Sequence, residues 1–175
     1  MVQRANHYEA AFEEYLRTTR TAYVAVDERR RALLEDNSLK SMDFVVYSAG
    51  KTNLLIDVKG RQFPSGNEQT GHKWENWATE EDILSLRHWE ELFGPDYRAV
   101  LVFAYHILRA DLLDEFDAPF RHRDRVYAFY GVWADDYEAV MTTRSPSWET
   151  VSLSSQSFRE LREPIQNLLE DTDSP

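Results

Sequence analysis

The chain contains no cysteine, which removes disulfide bonds and thiolate metal ligands from consideration. It has no apolar run near the roughly 20 residues that a bilayer-spanning helix needs, and its opening residues, Met1-Val2-Gln3-Arg4-Ala5-Asn6, lack the apolar stretch of a secretory signal. A soluble, cytoplasmic protein is the expectation. Glycine is scarce, 6 in 175 residues, and Gly60, Gly66 and Gly71 fit neither of the usual glycine-rich phosphate loops. The histidines at positions 7, 72, 88, 106 and 122 show no tight ligand spacing, so zinc is disfavoured. No Gly-x-Ser-x-Gly elbow is present, and a serine hydrolase triad has no support. Positive charge is also in deficit: 20 Lys+Arg face 31 Asp+Glu, for a net charge of −11. Such a surface repels phosphate, so any nucleic-acid partner has to be met on a local basic patch. Arg29-Arg30-Arg31 and Arg121-His122-Arg123-Asp124-Arg125 are the basic clusters, and solvated turn charge is the ordinary reading of such runs.

What is present is core-forming material, 42% hydrophobic and 13% aromatic residues, enough for one domain over 1–169 ahead of an acidic tail, 170–175, expected to be disordered. Tyr8, Ala11, Phe12, Tyr15 and Leu16 recur at the spacing of a buried helical stripe and predict a helix over 7–18, with Glu9 and Glu13 beside the stripe. Residues 21–26 read as a strand and 27–36 as a helical turn. Residues 41–47 and 54–60 read as a hairpin around a 48–53 turn, and 61–78 as a long loop. Thr79 caps a helix with Asp82 three residues on, ending at Gly94-Pro95. The run Ala-Val-Leu-Val-Phe-Ala-Tyr-His-Ile-Leu at 99–108 predicts a central strand covered on both faces. Further strands at 126–133 and 150–153, a short helix at 135–143 and a final helix at 157–169 complete the chain. The order predicts an α/β fold, a three-layer α/β/α sandwich around a central mixed sheet.

The hairpin carries charge where a strand is usually apolar. Alternation puts Asp57 and Lys59 on one face, roughly 7 Å apart, with Leu54, Ile56 and Val58 on the other. With Asp43 alongside, two carboxylates and an ammonium have the parts of a divalent-metal site beside a cationic group. A same-face salt bridge on an edge strand would present the same Asp57 and Lys59.

A helix-borne acid, Asp43 on the second strand and Asp57-Val58-Lys59 on the third, in the order αβββαβ, resemble the PD-(D/E)xK nuclease superfamily. The resemblance spans about 7–110, with Met42 where the signature has proline. It implies a restriction-endonuclease-like core with a C-terminal extension. It also implies Mg²⁺, or Mn²⁺ as substitute, on Asp43, Asp57 and the Val58 carbonyl, with Lys59 orienting or deprotonating the attacking water or stabilising the transition state. The implied activity is phosphodiester hydrolysis, as a DNA endonuclease or repair nuclease, in a possible homodimer; the alternative is a nuclease-fold binding or assembly module without turnover. The family habit of an acid after an aromatic favours Glu13, whereas the helical phase favours Glu9, and both stand as site candidates. His7-Tyr8-Glu9-Ala10-Ala11-Phe12-Glu13 also resembles the motif of bacterial proteins named HYExAFE.

Overall fold

The computed structural model describes residues 6–27, 32–34, 37–66 and 73–170. Helix α1 (His7–Thr18) is opened by Asn6, whose side chain accepts the Tyr8 amide, and it buries Ala11, Phe12, Tyr15 and Leu16, the stripe read from the sequence. Strand β1 (Ala22–Ala25) follows, then the short pair β2 (Ala32–Leu34) and β3 (Asn37–Leu39), then β4 (Phe44–Tyr47) and β5 (Asn53–Phe63). The two-residue β6 (Ala78–Thr79) leads directly into α2 (Glu80–Phe93), and β7 (Tyr97–Ile107) returns through the middle of the molecule. A 3-10 turn (Ala110–Glu115) precedes β8 (Phe120–His122) and β9 (Arg125–Trp133). The chain continues with α3 (Ala134–Val140), β10 (Thr142–Ser145), β11 (Thr150–Ser152), α4 (Ser155–Leu161), β12 (Glu163–Pro164) and α5 (Ile165–Glu170).

The main sheet has the order β1-β4-β5-β7-β9-β12, with β8 paired to β9. Only β5 and β7 run parallel, joined across the whole register from Asn53↔Tyr97 to Phe63↔Ile107; the other pairs are antiparallel. Because side chains alternate, β7 sends Ala99, Leu101, Phe103 and Tyr105 into a core with Ile83 and Leu86 of α2 and Phe158 of α4. Val100, Val102 and Ala104 face the opposite core, with Phe12 and Leu16 of α1 and Leu168 of α5. The sheet is thus covered on both faces, giving the three layers expected from the continuous apolar run. Burying each of the Val, Leu, Ile and Phe side chains among these contributes about 1.5–3 kcal/mol.

Several boundaries differ from the sequence reading. Where a helical turn was expected over 27–36, Ala32–Leu34 is a strand paired with Asn37–Leu39, Ala32 opposite Leu39 and Leu34 opposite Asn37, and 28–31 and 35–36 lie outside the described residues. So short a helix has too few hydrogen bonds to offset nucleation, whereas the ladder closes locally. The arginine cluster 29–31 lies outside the described residues. Strand β5 continues through Gly60 to Phe63, because β7 offers a parallel partner at every step; of the expected loop, 67–72 lie outside the described residues. The expected final helix is two, α4 and α5, separated where Glu163 and Pro164 pair with Gly131 and Tyr130. Proline disfavours a helical residue before it and removes a backbone donor, which breaks the helix at this point. Glu170 belongs to α5, and the rest of the acidic tail lies outside the described residues. Among the described residues no helix is long and apolar enough to cross a membrane.

Candidate active site

Gly60 brings α1 onto the sheet. A Cβ at this position would run into the Tyr8 ring, 2.6 Å from its Cε2 carbon, so the first turn of the helix packs directly on the β5 backbone. This seats Tyr8 and Glu9 over the segment that carries Asp57, Val58 and Lys59.

Asp43 enters from the other side. Its amide donates to the Ile56 carbonyl (2.9 Å) just before the β4–β5 ladder begins at Phe44↔Ile56. Past that end Val58 has no residue of β4 opposite it, and its N–H donates instead to Asp43 Oδ2 at 2.7 Å. A strand residue sends its N–H and C=O to the same side, so the Val58 carbonyl also points away from β7, toward Asp43. Asp43 is only 3% exposed and Asp57 8%. Together with Glu9, Lys40, Lys59 and Arg61 they line one cleft of about 460 Å³.

The structure therefore gathers Glu9, Asp43, Asp57, Val58 and Lys59 on this cleft. Glu13 does not line it. It is one helical turn further on, accepting hydrogen bonds from the Tyr23 hydroxyl (2.9 Å) and from Arg17 (3.2 Å). Gln62, a polar neighbour of the signature in sequence, is exposed and lies on the opposite face of β5 from Lys59.

Three participants were not identified from the sequence. The first is Asp82, read there only as a capping residue. Its Oδ2 accepts the Thr79 amide at 2.9 Å, completing the box at the start of α2, and also accepts Lys59 Nζ at 2.8 Å. Its Oδ1 is paired with Lys40, whose backbone carbonyl is in turn held by the Trp89 indole N–H at 2.9 Å. Lys59 thus sits between two carboxylates, Asp57 Oδ2 at 2.9 Å being the other. The third, Arg61, stacks on Trp77 with 3.9 Å to the ring centroid and donates to the carbonyls of Gly60 and Trp77. The capping pattern was the one available signal for Asp82; that α2 docks its first turn against β5 is a tertiary fact.

Burial dominates the titration of these groups. For Asp57 desolvation raises the pKa, only partly opposed by Lys59, and nearby Asp82 raises it further. Lys59 is pulled down by burial, but Asp57 and Asp82 outweigh this and lift it above the ordinary lysine value, so the ammonium stays charged. Asp82 also feels desolvation, yet Lys59, Lys40 and the Thr79 amide hold it well below the usual carboxylate range.

Among the described residues, no three histidine, aspartate or glutamate side chains converge into a ready-made cation cage. Mg²⁺ does not require one, since it commonly takes one or two carboxylates and retains water. Buried Asp43 and Asp57 beside the Val58 carbonyl offer the hard oxygen donors it selects, and the desolvated Asp57 carboxylate is a group that a cation would relieve. The donor set fits the ion.

No protein-family model matches the sequence, and no curated protein does. Solved structures do match. One is Hjc, a Holliday junction resolvase from Archaeoglobus fulgidus, an archaeal hyperthermophile, with a TM-score of 0.54 over 93% of this chain and 98% of that one. The fold is restriction-endonuclease-like. At 15% identity the likeness is one of architecture: a mixed sheet flanked by helices, with the αβββαβ order found in α1, β1, β4, β5, α2 and β7 and the β2–β3 hairpin inserted.

Proposed function

We propose that this protein is a divalent-metal-dependent nuclease acting on DNA. One observation carries the reading: on a restriction-endonuclease-like fold, Asp43, Asp57, the Val58 carbonyl, Lys59 and Glu9 share a single cleft. Asp43, Asp57 and Val58 would hold Mg²⁺ or Mn²⁺, with Glu9 completing the acidic rim; when bound, the ion would acidify water and neutralise charge on a phosphodiester. Lys59, kept protonated by its carboxylates, acts through its charge on the developing phosphorane-like oxygens and is poorly suited to take a proton from water. Asp82 fixes the direction of that ammonium.

The electrostatic objection raised by the net charge is weaker here than elsewhere. The cleft is lined by three acids, Glu9, Asp43 and Asp57, and three cations, Lys40, Lys59 and Arg61. With Asp82 behind Lys40 and Lys59 the group is close to balance in a chain of −11, and it becomes cationic when a divalent ion is added. The resolvase likeness makes a four-way junction the first substrate to test, and a homodimer would suit paired cuts on two strands. The lineage we assign to the HYExAFE-motif proteins, since each chemically distinctive residue of the motif has separate work. His7 bonds the Tyr127 hydroxyl, Tyr8 covers Gly60, Glu9 lines the cleft, Phe12 is buried, and Glu13 holds Tyr23.

The test is cleavage of junction, duplex and single-stranded DNA and of RNA with Mg²⁺ or Mn²⁺. Metal-dependent products are expected from the wild type and none from folded Asp57→Asn or Lys59→Met; a wild type inert on every substrate refutes the catalytic reading. The double engagement of Lys59 favours a second reading, a nuclease-fold binding or assembly module. Calorimetry separates the two, because Asp57-dependent Mg²⁺ or Mn²⁺ binding counts against the module.

A further inference from the structure

On the α2 side of the sheet, past the end of β5, Lys73, Arg159 and Arg162 open onto one small pocket of about 170 Å³, with Ser155 at its edge and Trp74 and Phe158 as walls. Among the described residues no carboxylate lines it, in a chain whose acids outnumber its bases 31 to 20. Among the described residues no hydrogen bond or ion pair engages the three cationic side chains. The Arg162 guanidinium carbon lies over Trp74, 3.6 Å from the ring centroid, and 5.4 Å from that of Phe158. Burial lowers its pKa and Arg159 repels it. Asp117, the acid that pulls the other way, is hydrogen-bonded to the Tyr130 hydroxyl at 3.1 Å.

A guanidinium stacked by its face keeps its N–H edge available, and that edge matches the oxygens of a phosphate. The pocket is smaller than the ~300–1,000 Å³ that encloses a whole small molecule, which suits one oxyanion group with the rest of its ligand outside. Position relates it to the cleft. Lys59, Arg61 and Phe63 share one face of β5, and the Phe63 ring lies 5.4 Å from Trp74. At about 3.3 Å per residue, Phe63 is about 13 Å along the strand from Lys59, a span that a few nucleotides cover.

We infer that Lys73, Arg159 and Arg162 bind a backbone phosphate of the nucleic-acid strand engaged in the cleft, outside the reacting position. The strand assignment rests on the nuclease reading; the phosphate assignment rests on the pocket alone.

Two measurements on the full chain test it, using a Lys73→Ala/Arg159→Ala double variant, both side chains being exposed. In the first, the Trp74 indole N–H resonance is followed as inorganic phosphate is added. A saturable shift is expected in the wild type and an affinity at least tenfold weaker in the variant; no shift in the wild type overturns the pocket. In the second, anisotropy of a labelled single-stranded oligonucleotide is measured with Ca²⁺ at several salt concentrations. Loss of this one phosphate contact should reduce the slope of log affinity against log salt by about 0.7. An unchanged slope beside an intact phosphate response overturns the strand assignment and leaves a free-phosphate site. A wild type that binds phosphate in the pocket but no nucleic acid refutes the nuclease reading and the strand assignment together.

Discussion

Removing the charge of Asp82 should destabilise the protein more than any exposed ion pair would. The side chain is 3% exposed and faces Lys59 at 2.8 Å, itself 14% exposed. Deleting one member of a buried pair costs about 3–5 kcal/mol, because the other charge stays desolvated. Two features hold the effect to the lower end: Lys59 retains Asp57 at 2.9 Å, and Lys40, 40% exposed, can rehydrate. Asp82→Asn, which can still accept the Thr79 amide, should therefore lose about 3 kcal/mol. In a domain of this size that is a fall in melting temperature of about 6–12 °C. Asp82→Ala should lose about 1 kcal/mol more, for the hydrogen bond from the Thr79 amide that closes the capping box. The assay is urea unfolding of wild type, Asp82→Asn, Lys59→Met and the double variant, where the cycle should return a coupling of about 1–3 kcal/mol. The pH dependence has a definite sign. A carboxylate depressed in the folded state contributes stability that is present above its unfolded pKa, about 3.9, and is lost as pH falls below it. The wild type should lose its advantage over Asp82→Asn in that acid range. Equal urea midpoints for the two proteins at pH 7, with zero coupling to Lys59, would refute the buried-network account.

Asp57→Asn should abolish cleavage while costing less stability than Asp82→Asn, since burial raises the Asp57 pKa whereas that of Asp82 is held down, and Lys59 keeps Asp82; a larger drop in melting temperature than that of Asp82→Asn would contradict this. Glu9→Gln should reduce metal-dependent cleavage with little change in stability. Glu13→Gln should leave cleavage intact and cost at most about 1 kcal/mol, as for a partly exposed ion pair, and the reverse pattern would move the acidic rim one turn along α1. His7 and His106 pack edge to face at 5.7 Å, and burial, aided by Arg125, lowers both pKa values, with Asp124 opposing at His106. Groups held neutral in this way lose stabilising effect as pH falls below about 6.5, so the urea midpoint should drop from pH 7 toward pH 5. His106→Phe should flatten that drop, and an unchanged profile would exclude the histidine pair as its source.

The sequence was most legible where the pattern is local and periodic. Helix α1 emerged with its buried stripe intact, because Ala11, Phe12, Tyr15 and Leu16 obey one period, and β7 declared itself by an unbroken apolar run. The Asp57 and Lys59 pairing on one strand face follows from alternation alone. It was less legible where a neighbour sets the boundary. Nothing near Gly60 says that β5 should continue, since its continuation depends on a parallel partner some forty residues later in the chain. The break at Pro164 was available from local chemistry, whereas the strand pairing that occupies it was not.

By itself, then, the sequence determined the layered α/β architecture and which acidic and basic residues stand on the central hairpin, because hydrophobic period and side-chain alternation are properties of consecutive residues. Only the tertiary structure decided which groups meet. It chose Glu9 over Glu13 for the cleft through the close approach of α1 at Gly60. It set Asp82 against Lys59 by docking the first turn of α2 on β5, and it assembled three cations from two distant segments into one pocket. Those encounters depend on packing between elements far apart in the chain, which no local periodicity encodes.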